Sequence, residues 1–242
     1  MLYLRSQVTP FVIMFVERSG ITYLATLLGS HPDVLGKREE FAHIRQRGRS
    51  GKDQLHWAER FWNPPWIGRH KAIGFKSKLA DILDPAGFRH LLFERKVHVI
   101  QLQRENLVKA VVSTINARRL HKASGNWNLL KESDRLPAFR IDVNLFDRML
   151  QERIRWDKEL EGYVSSLMLP KVKLNYEELL RDEDTFTQKV FEFIGVETQS
   201  SLKGKTLKNT NDDLRNVILN FDELCATYAG TRYQEMFTEV VA

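Results

Sequence analysis

Arg18, Ser19, Gly20 and Thr22 stand where side-chain and backbone donors would converge on an anion. The stretch FVIMFVERSGITYLATLLGSHPDVL, from Phe11 to Leu35, passes from an apolar run through Glu17-Arg18-Ser19-Gly20 into a pattern of helical spacing. A strand that turns sharply into a helix presents free N–H groups and the positive end of the helix dipole at the carboxyl edge of a sheet. Phosphate matches such a site best. Gly20 would let the backbone approach, Ser19 and Thr22 would add hydroxyls, and Arg18 would supply a charged fork. An ordinary strand–helix turn capped by a serine uses the same residues, so the loop alone leaves both readings open. The nucleotide-binding pattern G-x-x-x-x-G-K-[ST] is not met, because one glycine stands there and no Lys-Ser/Thr follows. That argues against a magnesium-dependent nucleoside triphosphate site.

The elements that would carry these residues follow from the apolar pattern. Phe11–Val16 has strand length, is apolar on both faces and fits a buried parallel strand. Ile21, Leu24, Leu27 and Leu28 then fall at helical spacing until His31-Pro32. Further strands are expected at Ala72–Phe75, Val97–Leu102 and Val172–Asn175. Asn106 would cap a helix running through Val111 and Ile115 toward Leu120. The stretches YEELLRD and TFTQKVFEFIG predict a short and a longer helix, the second closed by Gly195, and another long helix is expected from about Val143 to Leu167. Lys37–Lys52 is dense in charge and glycine and reads as a mobile loop, Asn63–Trp66 breaks any helix, and His121–Arg140 reads as irregular. Strands alternating with helices predict an α/β three-layer sandwich with a central, mostly parallel sheet. No repeat, low-complexity tract or linker divides the chain, so residues 1–242 are expected to form a single domain.

Composition narrows the partners. With 242 residues, 43% of them hydrophobic, the chain is long enough to bury a substantial core. No apolar run approaches the roughly 20 residues of a membrane-spanning helix. The opening MLYLRSQVTPFVIMFVERSG lacks a basic segment followed by a small-residue cleavage site, so no secretory signal is expected. One cysteine, Cys225, cannot form an internal disulfide, which suits a reducing compartment and a cytoplasmic location. The net charge of +6 favours an anionic ligand, but the basic residues are scattered rather than striped, so nucleic acid is not the expected partner. Nothing in the pattern fixes an oligomeric state.

The loop resembles the 5′-phosphosulfate loop of the sulfotransferases that use 3′-phosphoadenosine-5′-phosphosulfate (PAPS), whose pattern is Pro-[Lys/Arg]-[Ser/Thr]-Gly-[Thr/Ser]-Thr, often followed by an aromatic residue. ERSGITY keeps Arg18, Ser19, Gly20, Thr22 and Tyr23, and departs at Glu17 and at Ile21, where a proline and a hydroxyl are usual. The family's second mark is an arginine after a strand, then a serine within the following helix, together holding the 3′-phosphate. VIQLQRENLVKAVVS supplies Arg104 and Ser113, and the R-x-N-x6-S spacing is most similar to bacterial carbohydrate sulfotransferases, including those that sulfate nodulation factors. Asn106 and Ser113 would lie on one helix face, about 10 Å apart along the axis. KLNYEELLRDEDTFTQKVFEFIGV resembles the family's late strand–helix block, in which a tyrosine at the position of Tyr176 contacts adenine. The C-terminal LKNTNDDLRNVILNFDELCATYAGTRYQEM resembles the closing segment, with Lys208 near the 3′-phosphate. The resemblance therefore implies a P-loop-like sulfotransferase fold and PAPS as donor with PAP as product. It implies cofactor contacts from Arg18, Ser19, Gly20, Ile21, Thr22, Tyr23, Arg104, Ser113, Tyr176 and Lys208.

Sulfuryl transfer needs a hydroxyl nucleophile, a base for its proton and cations at the leaving phosphate, with no metal expected. Arg18 and Lys76 are the expected catalytic cations. Cytosolic aryl sulfotransferases carry Lys-Thr-His in the corresponding strand, whereas this chain reads Lys76-Ser77-Lys78, so the base must come from elsewhere. Carbohydrate-type relatives carry a glutamate two residues before an aromatic or aliphatic residue, which matches Glu39 before Phe41, with Glu40 and His43 as alternatives. The expected acceptor is a hydroxyl of a carbohydrate or glycolipid, the alternative a phenolic, lipid or secondary-metabolite hydroxyl. Trp57, Phe61, Trp62 and Trp66 could line its groove or simply belong to the core. A kinase-like phosphotransferase and a basic nucleic-acid-binding module are the competing readings, told apart by ligand preference.

Overall fold

The computed structural model describes residues 3–4, 8–63, 67–68, 70–199, 202, 208 and 210–240. Its elements in chain order begin with β1 (Tyr3–Leu4), β2 (Thr9–Phe15), α1 (Ile21–Ser30), β3 (Val34–Lys37), α2 (Glu40–Gln46) and α3 (Gly51–Phe61). Next come β4 (Ile67–Gly68), β5 (Ala72–Ser77), α4 (Pro85–Glu94), β6 (His98–Gln103), α5 (Leu107–Ser124) and α6 (Val143–Ser165). The chain closes with β7 (Lys171–Asn175), α7 (Tyr176–Arg181), α8 (Glu183–Phe193), α9 (Phe221–Thr227) and α10 (Gln234–Thr238). Two compact units emerge, Met1–Gln103 with Glu159–Lys205, and Arg104–Lys158 with Thr206–Ala242.

The first unit is built on a five-stranded sheet of order β3-β5-β2-β6-β7, parallel throughout. β1 and β4 form a separate antiparallel pair. β2 has a neighbour on each side, which is why Phe11 to Phe15 form an unbroken apolar run of at most 3% exposure. Phe11, Ile13 and Phe15 pack with Leu24 and Leu27 of α1 and with Phe186, Val190 and Phe191 of α8. The opposite face carries Phe75, in register with Val12, and its ring meets those of Phe41, Trp57, Phe61, Trp62 and Phe88 from α2 to α4 and the residue after α3. Helices thus cover both faces of the sheet, giving the three-layer α/β architecture with a P-loop-like strand order. Trp57, Phe61 and Trp62 are part of that aromatic core, and Trp66 lies outside the described residues.

Two local expectations are corrected. Lys37–Lys52 is not a loop: α2 occupies Glu40–Gln46, and α3 begins at Gly51. Phe41, Ala42 and Ile44 are the buried face of α2, while Ser50 and Asp53 close α3 with a reciprocal capping box. The dense charges only decorate the solvent side of a helix whose three apolar residues anchor it. His121–Arg140 is also less irregular than expected. α5 runs on to Ser124 and stops at Gly125, whose φ of 75° ends the helix. A 3-10 turn at Glu132–Asp134 and a parallel bridge from Phe139 to Ile218 follow.

The second unit is helical. Val108, Val111, Val112 and Ile115 of α5 pack with Phe146, Met149 and Leu150 of α6, Leu224 of α9 and Phe237 of α10. Asn220 ties the return segment down, its side chain accepting from Ile141 N–H and donating to Ile141 C=O, both at 2.9 Å.

Candidate active site

The turn from β2 into α1 spans Val16 to Gly20. Arg18 and Gly20 both adopt left-handed backbone, with φ of 63° and 83°. At Gly20 that conformation coincides with crowding, because a Cβ there would lie 2.3 Å from the ring of Tyr176. Only glycine lets the first residue of α7 close over the turn. Ser19 is fully buried and its Oγ has no hydrogen-bond partner among the described residues. Among the described residues no N-cap side chain bonds to the start of α1 and its first turn carries no acidic residue, so the positive end of the dipole faces the turn. Ile21, which replaces a hydroxyl of the family pattern, turns its side chain into the core and leaves only its backbone N–H to serve a ligand. Thr22 is half-buried, and the Tyr23 hydroxyl donates to the Glu183 carboxylate, tying α1 to the start of α8.

β5 lies beside β2, with Lys76 in register with Ile13. The Lys76 ammonium lies 3.2 Å from Glu39 Oε1 and 5.7 Å from the centroid of the Phe15 ring. Glu39 is the residue that precedes α2, and its other oxygen lies 3.9 Å from Lys78 Nζ. Lys78 also faces Asp81 at 3.5 Å, and Arg45 reaches Asp81 at 2.9 Å and the Ala80 carbonyl at 2.7 Å. Glu40 points elsewhere: its carboxylate meets His43, one helical turn on, at 3.8 Å. Adjacent glutamates thus have separate partners. Lys78, Asp81 and Arg45 were not among the residues expected from the motifs. The period-two spacing of Lys76 and Lys78 was the available signal for the first, whereas Arg45 and Asp81 meet only through folding.

In the second unit, Arg104 follows β6 directly in the chain and is half-buried. Asn106 caps α5 as expected, its Oδ1 accepting from Lys109 N–H at 2.8 Å. Ser113 is 5% exposed. It belongs to a buried polar row of Asn106, Lys109, Ser113 and Asn116, spaced to fall along one face of α5. Lys109 pairs with Asp212 at 3.0 Å and Asn116 donates to Thr210 at 3.5 Å, so residues 210–212 lie against that row. Lys208 is exposed and outside regular structure. The expected residues therefore gather in two groups, Arg18 to Tyr23 with Glu39, Lys76 and Tyr176 in the first unit, and Arg104, Ser113 and Lys208 in the second.

Over 237 residues the chain is 22% identical to nodulation protein H of Rhizobium tropici, covering 94% of this chain and 92% of that protein. No family model matches. Among solved structures, a sulfotransferase from Alicyclobacillus acidocaldarius is similar over 95% of both chains, at 15% identity and a TM-score of 0.48. A sulfotransferase domain from the curacin biosynthetic pathway is similar over 79% of this chain and 76% of its own, at 13% identity and a TM-score of 0.47. The nodulation protein aligns along nearly its whole length, and that similarity, with the Arg18–Tyr23 turn and the Arg104–Ser113 block, supports the sulfotransferase superfamily and a transferase of that type.

Proposed function

We propose that the protein moves a sulfuryl group from PAPS to a hydroxyl of a carbohydrate or glycolipid acceptor. The observation that carries this is the Glu39–Lys76 pair, a carboxylate and an ammonium 3.2 Å apart beside the strand that enters the Arg18–Gly20 turn. A buried, unpartnered Ser19 Oγ and an uncapped α1 suit a 5′-phosphosulfate. Ser19, the N–H groups of Gly20 to Tyr23 and the Arg18 side chain would hold it. Arg104 and Ser113 are the residues that the resemblance assigns to the 3′-phosphate, with Tyr176 at adenine and Lys208 closing over. PAPS supplies the activated sulfuryl group. The acceptor oxygen bonds to sulfur as the bond from sulfur to the phosphate oxygen breaks; Glu39 takes the hydroxyl proton, and PAP leaves with the electron pair. Lys76 and Arg18 neutralise the charge that collects on the leaving oxygen.

For the acceptor, the support is similarity to a nodulation protein and the closeness of the Arg104–Ser113 spacing to carbohydrate enzymes. The alternative is a phenolic, lipid or secondary-metabolite hydroxyl; Trp57, Phe61 and Trp62, which could have lined a groove for either class, pack around Phe75 instead. A single domain and a cytoplasmic location complete the proposal; among the described residues no helix is long and apolar enough to cross a membrane. The test is transfer of labelled sulfate from PAPS, with and without magnesium, to a panel of glycans, glycolipids, phenols and lipids. Transfer to glycans is the expected result. Transfer to phenols alone would move the acceptor to the alternative class, and no transfer to any hydroxyl would sink the reading.

A further inference from the structure

We infer that Lys76 is a shared cation, held by Glu39 until an anion at the Arg18–Gly20 turn draws it away, so that donor binding and release of the base are one event. This rests on the donor reading above. Glu39 touches two ammonium groups, Lys76 at 3.2 Å and Lys78 at 3.9 Å, both from β5 and its exit, while Glu40 and His43 on α2 pair with each other. An ammonium beside a carboxylate opposes its protonation, so a general base works best once such a partner has left.

The two lysines differ in how firmly they are kept. Lys78 has Asp81 on its other side at 3.5 Å, and the Asp81 side chain is 2% exposed. Arg45 pins that carboxylate at 2.9 Å. The buried Gln54 fixes the backbone around it, donating to the Asp81 and Phe41 carbonyls at 2.7 and 2.9 Å and accepting from Leu83 N–H at 2.9 Å. Lys78 is therefore anchored. Lys76 pairs, among the described residues, with Glu39 alone, its other contact being the face of Phe15. Phe15 ends β2, so the ammonium already stands against the strand that runs into the turn. An anion there offers Lys76 a doubly charged partner in place of a single carboxylate. Glu39 keeps Lys78 on one oxygen, and the oxygen that Lys76 leaves is open to an acceptor hydroxyl.

The test uses PAP affinity by calorimetry on the full chain and needs no acceptor. Glu39→Gln removes the competitor for Lys76, and PAP should bind roughly three- to fivefold tighter, the scale of one solvent-screened ion pair. Lys76→Met should bind PAP more weakly, and adding Glu39→Gln to it should restore nothing. Unchanged or weaker binding in Glu39→Gln would overturn the inference. So would an equal gain in the Lys76→Met background, which would mean plain charge repulsion rather than sharing. Failure of the wild-type chain to bind PAP would remove the donor reading itself, an outcome distinct from both.

Discussion

At the residue scale the two neighbouring glutamates are the sharpest contrast. Glu39 faces Lys76 and Lys78, whereas Glu40 faces His43 on the solvent side of α2. Glu39→Gln should lower turnover by about 10²–10⁴-fold without loss of PAP affinity, and Glu40→Gln should stay within a few-fold of the wild type. Turnover with any accepted hydroxyl, set beside calorimetric affinity, checks this. An inactive Glu40→Gln with an active Glu39→Gln would place the base one residue on, and activity in both would direct attention to His43. The second unit supplies its own test. Arg104→Ala should weaken PAP binding by about 1.5–3 kcal/mol, because a charged donor to phosphate is lost, and Ser113→Ala by about 1 kcal/mol. Wild-type affinity in Arg104→Ala would show that the second motif does not hold the 3′-phosphate.

At the scale of elements, the turn between β2 and α1 depends on its meeting with α7. Gly20→Ala forces a Cβ to within 2.3 Å of the Tyr176 ring and asks a non-glycine residue to hold a φ of 83°. The left-handed strain alone costs about 1–2 kcal/mol, so a lowered melting temperature and weakened PAP binding are expected together. The double variant Gly20→Ala/Tyr176→Ala should recover part of the stability; no recovery would mean that the contact with Tyr176 is immaterial. A second element-scale test concerns α6 and the sheet. Glu161 accepts from Lys173 of β7 and from Gln101 of β6, both at 2.7–2.8 Å, and these bonds, Lys173 first, hold its carboxyl below the usual range. A depressed carboxyl stabilises the fold above its unfolded pKa, and that contribution disappears as pH falls through the folded value. Glu161→Gln should therefore cost under about 1 kcal/mol at neutral pH, since the pair is half-exposed, and should show a shallower loss of stability on acidification. Denaturant unfolding at pH 7 and in the acid range measures both.

At the scale of the whole molecule, the donor reading predicts a ligand preference. PAP should raise the melting temperature without magnesium, by about 2.7 kcal/mol of stabilisation at 100 times its dissociation constant, and ATP should do so much less. Thermal shift with PAP, ATP–Mg²⁺ and single-stranded DNA makes the comparison. Equal stabilisation by ATP and PAP would remove the 3′-phosphate assignment, and stabilisation by DNA would revive the basic-module reading.

The sequence by itself determined the parallel α/β order, because buried strands must be apolar on both faces and amphipathic helices must alternate with them. It also determined the strand–turn–helix at Arg18–Thr22 and the Asn106 cap, since both depend on a few adjacent residues. Local charge misled at Lys37–Lys52, where Phe41, Ala42 and Ile44 outweigh the polar residues around them once Phe75 and Phe88 are brought near. Partnerships across the chain were not legible in it. Glu39 meets Lys76, Gly20 meets Tyr176 and Arg45 meets Asp81 only because parallel strands bring distant loops to one edge of the sheet. Local pattern records what each residue prefers, but the contacts that sort Glu39 from Glu40, and Lys76 from Lys78, exist only after the sheet has closed.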